Sequence, residues 1–229
     1  TRGVMFRLSG LADTAVKESY DRIRAAMSNI GFKPPTADLT VNLSPADIRK
    51  EGCGYDLPLA IGILAAHGKV DERMLSDYMM IGELGLDGKL KPVSGALSVA
   101  IRARKEKFKG LIVPKENARE AAVVNNLDVY GMDNLYDVIC FLNGSKEYEP
   151  LFVDTRKEFY EHQYACDLDF ADVRGQESVK RALEVAAAGG HNLIMIGAPG
   201  SGKSMMAKRL PGILPPLSLA ESLETTQIH

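Results

Sequence analysis

Residues 197–204 read Gly-Ala-Pro-Gly-Ser-Gly-Lys-Ser, which fits the phosphate-loop pattern Gly-x-x-x-x-Gly-Lys-Ser/Thr. A short apolar run, 192–196, precedes these residues and a helix-forming run follows them, so the sequence predicts a strand, a loop and a helix in that order. Glycines let backbone N–H groups turn toward phosphates, and a helix N-terminus adds partial positive charge there. The motif therefore favours an α/β fold around a nucleotide.

The loop also predicts which residues contact the nucleotide. Lys203 is expected to reach the β- and γ-phosphates, and the Ser204 hydroxyl is expected to bind Mg²⁺. The sequence thus predicts ATP and Mg²⁺ as cofactors. The candidate cofactor-binding residues of the loop are Gly197, Ala198, Pro199, Gly200, Ser201, Gly202, Lys203 and Ser204.

Hydrolysis needs more than this loop. It requires a second acidic residue, on a neighbouring strand, to hold Mg²⁺, and a group that orients the attacking water. No apolar run ending in an acidic pair follows Ser204. We therefore expect this chain to bind nucleotide with almost no turnover, and we assign it no catalytic residue. The rest of the sheet and any arginine finger are expected in sequence beyond the chain.

Composition excludes several classes of protein. The chain has 229 residues, 45% of them hydrophobic, with 28 Lys and Arg against 30 Asp and Glu. This balance excludes binding of nucleic acid through bulk charge alone. No apolar stretch approaches the ~18 residues of a membrane span, so we expect a cytoplasmic protein with no membrane partner. Cys53, Cys140 and Cys166 are too widely spaced for a disulfide framework or a zinc ribbon.

Hydrophobic periodicity predicts an α/β chain of two domains, 1–142 and 169–229, joined by a linker over 143–168 where the periodicity fades. The first residues read as the second strand of a hairpin, and an upstream piece is expected. The predicted helices are 13–30, 57–66 capped by Asp56, 96–108, 116–125, 135–142, 177–188, 203–210 and one beginning at Ser218. The predicted strands are 39–43, a hairpin of 79–84 and 89–93, 111–113, 127–130 and 192–196.

Two stretches carry a resemblance to a known family. Residues 40–60 contain Thr-Val-Asn-Leu-Ser-Pro-Ala-Asp, Lys-Glu-Gly and Tyr-Asp-Leu-Pro-Leu-Ala, and residues 186–204 read AAAGGHNLIMIGAPGSGKS. Together they resemble the YifB/ComM family of bacterial magnesium-chelatase-like AAA+ ATPases, and the resemblance covers nearly the whole chain. It implies an α+β Lon-protease-like domain over 1–142, followed by the N-terminal part of a P-loop AAA+ α/β domain over 169–229.

The resemblance also implies partners and further site residues. Val173, Gly175 and Gln176 precede the first helix of the AAA+ module and would line the adenine pocket, with a solvated helix start as the alternative. The family implies a ring, a hexamer, that acts on DNA by branch migration or similar remodelling. The alternative functions are a motor that drives Mg²⁺ into a porphyrin and, with less support, an ATP-dependent protease.

Lon proteases use a serine nucleophile that a lysine activates. The similarity of residues 50–57 to the Lon pattern places Gly54 at the serine position, and the later Lon-like segments place Leu97 at the lysine position. Neither side chain can do this chemistry, so the resemblance implies a domain without peptidase activity. Cys53 is a conceivable substitute nucleophile, but without a neighbouring His or Lys we interpret it as a structural thiol.

Two weaker patterns have ordinary explanations. A basic run before Leu111 could contact DNA, although solvated helix faces commonly look the same, and we favour the solvated face. The run consists of Arg102, Arg104, Lys105, Lys107 and Lys109. His162 and Cys166 are four residues apart, but one such pair cannot complete a four-ligand zinc site, so we assign none.

Overall fold

The computed structural model describes residues 5–33, 37–153 and 168–215, together with Glu221 and Thr225. The chain divides into two compact units, Thr1–Val153 and Asp154–His229. The division falls inside the range that the sequence predicts as a linker. Ser218, where a last helix was expected, lies outside the described residues, as do His162 and Cys166.

The strands of the first unit are β1 (Phe6–Ser9), β2 (Leu39–Asn42), β3 (Tyr78–Met80), β4 (Glu83–Leu84), β5 (Leu90–Lys91), β6 (Gly110–Pro114) and β7 (Asp128–Met132). β1 pairs in parallel with β2, and β4 pairs with β5 as an antiparallel hairpin. β3, β6 and β7 form a parallel sheet in the order β3-β6-β7. The expected hairpin is therefore confirmed in a shorter form, because 78–80 pairs with β6 instead.

The helices of the first unit are α1 (Thr14–Lys17), α2 (Ser19–Asn29), α3 (Asp56–Ala66), α4 (Ala96–Lys105), α5 (Lys115–Ala122) and α6 (Leu135–Leu142). The core lies around α3, which is apolar on nearly every side and buries residues from Leu57 to Ala65. Ile23 of α2 and Ile112 of β6 are fully buried in the same cluster. This alternation of helices and parallel strands confirms the α/β class.

α4 ends earlier than the sequence predicts. Its last residue is Lys105, and Lys107 has a left-handed backbone with φ of +63°. Helix geometry cannot continue through that conformation, so Lys107 and Lys109 lie beyond the helix. The predicted basic helix face is therefore divided between a helix and a loop.

Asp56 has a different role from the predicted helix cap. Its carboxylate is fully buried and accepts hydrogen bonds from Arg22 Nε at 2.7 Å and Nη2 at 2.9 Å. It also accepts the Leu84 backbone N–H at 3.1 Å. A buried carboxylate is tolerated when it is paired and fully hydrogen-bonded. This ion pair joins α2, α3 and β4.

Several residues in the range predicted as a linker make contacts with the first unit. The Leu151 N–H donates to Val129 O at 2.8 Å, and the Tyr148 hydroxyl donates to Asp137 at 2.5 Å. The Tyr148 ring packs against the core. The chain therefore stays attached to this unit as far as Leu151.

The second unit contains α7 (Glu177–Gly189) and α8 (Lys203–Arg209), with a small core of Val173, Leu183 and Met206. The predicted strand at 192–196 is wrong: within 168–215 there is no strand, and the side chains of Ile194 and Ile196 are 83% and 88% exposed. A buried parallel strand needs neighbouring strands to pair with, and the described part of this unit offers none. No helix in the described parts of the chain has the length and apolarity to cross a membrane.

Candidate nucleotide-binding site

The backbone of residues 197–204 explains the glycines of the motif. Gly200 and Gly202 have φ of +81° and +89°, a left-handed region that residues with a Cβ rarely adopt. A Cβ at Gly197 would lie 2.9 Å from Ser201 Oγ, closer than such atoms approach. Glycine therefore takes this path without strain at 200 and 202, whereas a side chain at 197 would require Ser201 to move.

Lys203, the first residue of α8, directs its ammonium into the loop. Its Nζ donates to Gly197 O at 2.7 Å and Ala198 O at 2.8 Å, and it lies 3.3 Å from Ser201 Oγ. The loop thus surrounds a positive charge at the N-terminus of a helix, where anions are stabilised. Ser204 follows on α8 with an exposed side chain.

A cavity of about 430 Å³ lies beside the loop. One wall comes from α7 and the other from residues 193–197, and Ser201 and Lys203 lie at the loop end. The walls are apolar while that end is polar and cationic. Such a cleft suits a ligand with an apolar ring at one end and anionic groups at the other.

The three residues expected near adenine are placed differently. Gln176 lines the cavity, has φ of +58°, and donates from Nε2 to Ser201 O at 3.4 Å. Gly175 forms the turn before it with φ of +69°. The Val173 side chain is 2% exposed and packs in the small core with Leu183 and Met206. The structure thus brings Gln176 to the loop and places Val173 in the core.

Arg209 connects the two parts of the site, and sequence reasoning missed it. From the C-terminal end of α8, its Nε donates to Asp169 O at 2.8 Å and its Nη2 to Asp172 Oδ2 at 3.0 Å. Its side chain is only 12% exposed. Asp169 and Asp172 flank the short 3-10 helix that leads to Gln176. In the sequence, Arg209 is only a basic residue in a last helical turn, a common and uninformative position.

In the first unit, the structure shows what surrounds Gly54 and Leu97. A Cβ at Gly54 would lie 3.0 Å from Ile81 Cγ1, so a side chain there would require Ile81 to shift by a few tenths of an ångström. Leu97 is 5% exposed, and its backbone N–H donates to Glu120. Burial, followed by the nearby Glu83 carboxylate, raises the pKa of the Cys53 thiol. A raised pKa disfavours the thiolate, so Cys53 is not an activated nucleophile.

Comparisons with known proteins identify the family. Residues 1–117 match the family model described as subunit ChlI of Mg-chelatase, and residues 169–229 match the model of magnesium chelatase, subunit ChlI. The chain is 44% identical over 224 residues to the competence protein ComM of Haemophilus influenzae, covering 97% of this chain and 44% of that protein. It is 44% identical over 220 residues to YifB of Escherichia coli, covering 96% and 42%. The chain therefore spans less than half the length of these relatives.

A weaker similarity links the chain to Lon proteases. Lon protease 2 of Bacillus subtilis is 24% identical over 145 residues, covering 62% of this chain and 26% of that protein. The ChlI models account for most of the chain, and the ComM and YifB relatives align with nearly all of it. The chain thus belongs to the magnesium chelatase ChlI family, as a YifB/ComM-type AAA+ ATPase sequence that begins with a Lon-protease-like domain.

Proposed function

 We propose that residues 197–204 bind ATP with Mg²⁺, and that the whole protein is a ring-shaped AAA+ motor that acts on DNA. The observation that carries the nucleotide part is the Lys203 ammonium, held at 2.7 Å and 2.8 Å from two carbonyl oxygens inside the loop.

The chemistry of the loop supports ATP and Mg²⁺. Phosphate oxygens would be stronger acceptors for the Lys203 ammonium than the loop carbonyls, because both partners of the hydrogen bond would be charged. The exposed Ser204 hydroxyl would contribute to holding Mg²⁺ beside the phosphates. Gln176 would contact adenine in the apolar cavity, with Gly175 shaping the turn and Val173 supporting it from the core.

The charge distribution of the first unit supports a DNA partner. Arg102 pairs with Glu106 at 2.6 Å, and Lys109 pairs with Asp77. The side chains of Arg104, Lys105 and Lys107 are exposed and form no ion pair with described residues. These three cations are therefore the ones that remain to contact phosphates. The relative in Haemophilus influenzae is named a competence protein.

A second candidate function has its own observation. Both family models carry the description of a magnesium chelatase subunit, which favours a motor that drives Mg²⁺ into a porphyrin. The third candidate, a protease, loses support because a side chain at Gly54 would crowd Ile81 and because Leu97 is a buried apolar residue.

The experiment that tests the proposal is the ATPase rate of the whole protein with and without forked DNA, and with and without porphyrin. We expect stimulation by DNA, and the variant Lys203→Ala should abolish it. Lys208→Ala is the matched control, because it removes an exposed lysine from the same helix. Stimulation by porphyrin alone would favour the chelatase function, and a fully active Lys203→Ala variant would overturn the site.

A further inference from the structure

The first unit contains a groove of about 750 Å³ beside β3. Its walls come from the loop around Cys53 and Gly54, from β3 and from the start of α4. The residues that line it include Gly54, Met79, Met80, Ile81, Glu83 and Val99. Neither the nucleotide loop nor the basic residues of α4 belong to this groove.

One wall of the groove is the outer edge of a sheet. β3 is the outermost strand in the order β3-β6-β7, and the Ile81 N–H donates to Ile112 O of β6 at 3.1 Å. Backbone groups alternate in direction along a strand, so Met80 directs its N–H and C=O away from β6. No strand in the described parts of the chain pairs with this edge. Just beyond β3 the edge is closed at Gly82, whose N–H donates to Gly54 O at 3.0 Å and whose carbonyl accepts the Leu57 N–H at 3.0 Å.

The side chains of the groove define what fits beside that edge. Met79, Ile81 and Val99 provide an apolar surface, and the charged residues of the lining are Glu51 and Glu83, both acidic. Glu51 already forms an exposed ion pair with Arg49 at 2.9 Å. Glu83 therefore provides the main negative charge. This charge repels phosphates and attracts a cationic side chain.

We propose that this groove binds an extended peptide segment that adds a strand to β3. Its backbone would pair with Met80, its aliphatic side chains would contact Met79 and Val99, and an arginine or lysine would extend to Glu83. In strand addition the main-chain hydrogen bonds provide affinity, and the pockets for alternate side chains provide specificity. The peptide is bound and released uncut, because neither Gly54 nor Leu97 supplies a nucleophile or a base.

The test uses the 229-residue chain and a fluorescein-labelled peptide that alternates valine and threonine around one central arginine. We expect saturable binding in fluorescence anisotropy. Replacing the arginine of the peptide by glutamate should weaken binding about fivefold or more, the size expected of a partly exposed ion pair. Methylating the amide nitrogens of the peptide that face β3 should abolish binding, because it removes the hydrogen-bond donors.

Two variants of the protein form a matched pair. Val99→Lys should abolish binding, because it places a long cationic side chain in the groove next to Glu83. Ser98→Lys adds the same charge to an exposed neighbouring position of α4 and should leave binding unchanged. ATP and the variant Lys203→Ala should not alter peptide affinity, which separates this test from that of the nucleotide function.

Several outcomes would overturn the proposal. Equal affinity for the arginine and glutamate peptides would remove the role of Glu83, and equal binding by the Val99→Lys and Ser98→Lys variants would place the peptide elsewhere. Self-association that Val99→Lys blocks in sedimentation experiments would show that a second copy of this chain occupies the groove. Peptide fragments in mass spectrometry would refute binding without cleavage.

Discussion

Cys53 shows how the environment of one residue decides its chemistry. Burial raises the pKa of its thiol, and the carboxylate of Glu83 raises it further. Since the thiolate is the nucleophile, the raised pKa makes this thiol less reactive than free cysteine despite its position in a groove. Removing the negative charge of Glu83 would favour the thiolate and lower this pKa.

Alkylation rates test this effect directly. In a chain with Cys140 and Cys166 changed to serine, iodoacetamide should modify Cys53 more slowly at pH 8 than it modifies free cysteine, and the rate should rise at higher pH. Adding Glu83→Gln should increase the rate at pH 8, because a lower pKa leaves more thiolate. A midpoint of the rate profile below that of free cysteine would contradict the assignment of Cys53 as a structural thiol.

The ion pair of Arg22 and Asp56 predicts a large effect on stability. Arg22→Met would leave the buried Asp56 carboxylate without its cation, at a cost of about 3 to 5 kcal/mol in the free energy of unfolding. Urea denaturation measures this cost. The double variant Arg22→Met with Asp56→Asn should recover part of the loss, because it leaves no buried charge. A single variant as stable as the parent chain would contradict the contribution of the pair.

At the scale of the elements, Arg209 predicts a separation between the base and phosphate parts of the site. Arg209→Ala should release the turn before Gln176 from α8 and weaken ATP and ADP binding about tenfold, because the base side would no longer be preorganised. Binding of tripolyphosphate, which has no base, should remain unchanged. Isothermal titration measures all three ligands, and Lys208→Ala is the control. An equal loss for tripolyphosphate would indicate a general loosening of α8.

Sequence patterns predicted the elements whose signals are local. α3 and α6 match their predicted ranges closely, because each is a continuous and mostly apolar run with clear ends. The phosphate loop was also predictable, because its local backbone conformation favours glycine at fixed positions in the sequence. Residues 192–196 do not form the predicted strand, because a strand needs hydrogen bonds to neighbouring strands and these are not visible in the local sequence. Contacts between distant residues left no local signal, as for Arg22 with Asp56 and for Arg209 with Asp169.

At the scale of the whole molecule, the chain should bind nucleotide with almost no hydrolysis. It has the phosphate loop but no second acidic Mg²⁺ ligand identified in its sequence. We expect weak binding of ATP and ADP in isothermal titration and negligible phosphate release. Turnover by this chain at the rate of the longer ComM-type proteins would contradict this expectation.

Assembly is expected to depend on nucleotide. By resemblance to the family, the whole protein should form a hexamer when ATP is bound, with neighbouring subunits completing each site. The 229-residue chain alone should be a monomer or a weak oligomer. Light scattering distinguishes these states. A stable hexamer of this chain without ATP would assign assembly to the first unit.

The contact between Gly54 and Ile81 has a consequence for how this lineage can evolve. A mutation that introduced serine at Gly54 would place its Cβ 3.0 Å from Ile81 Cγ1, which is a crowded contact. The hydroxyl would still lack a base while Leu97 stays buried. The substitution at Gly54 alone would therefore give no selective advantage. Acquiring a hydrolytic site would therefore require changes at both Gly54 and Leu97.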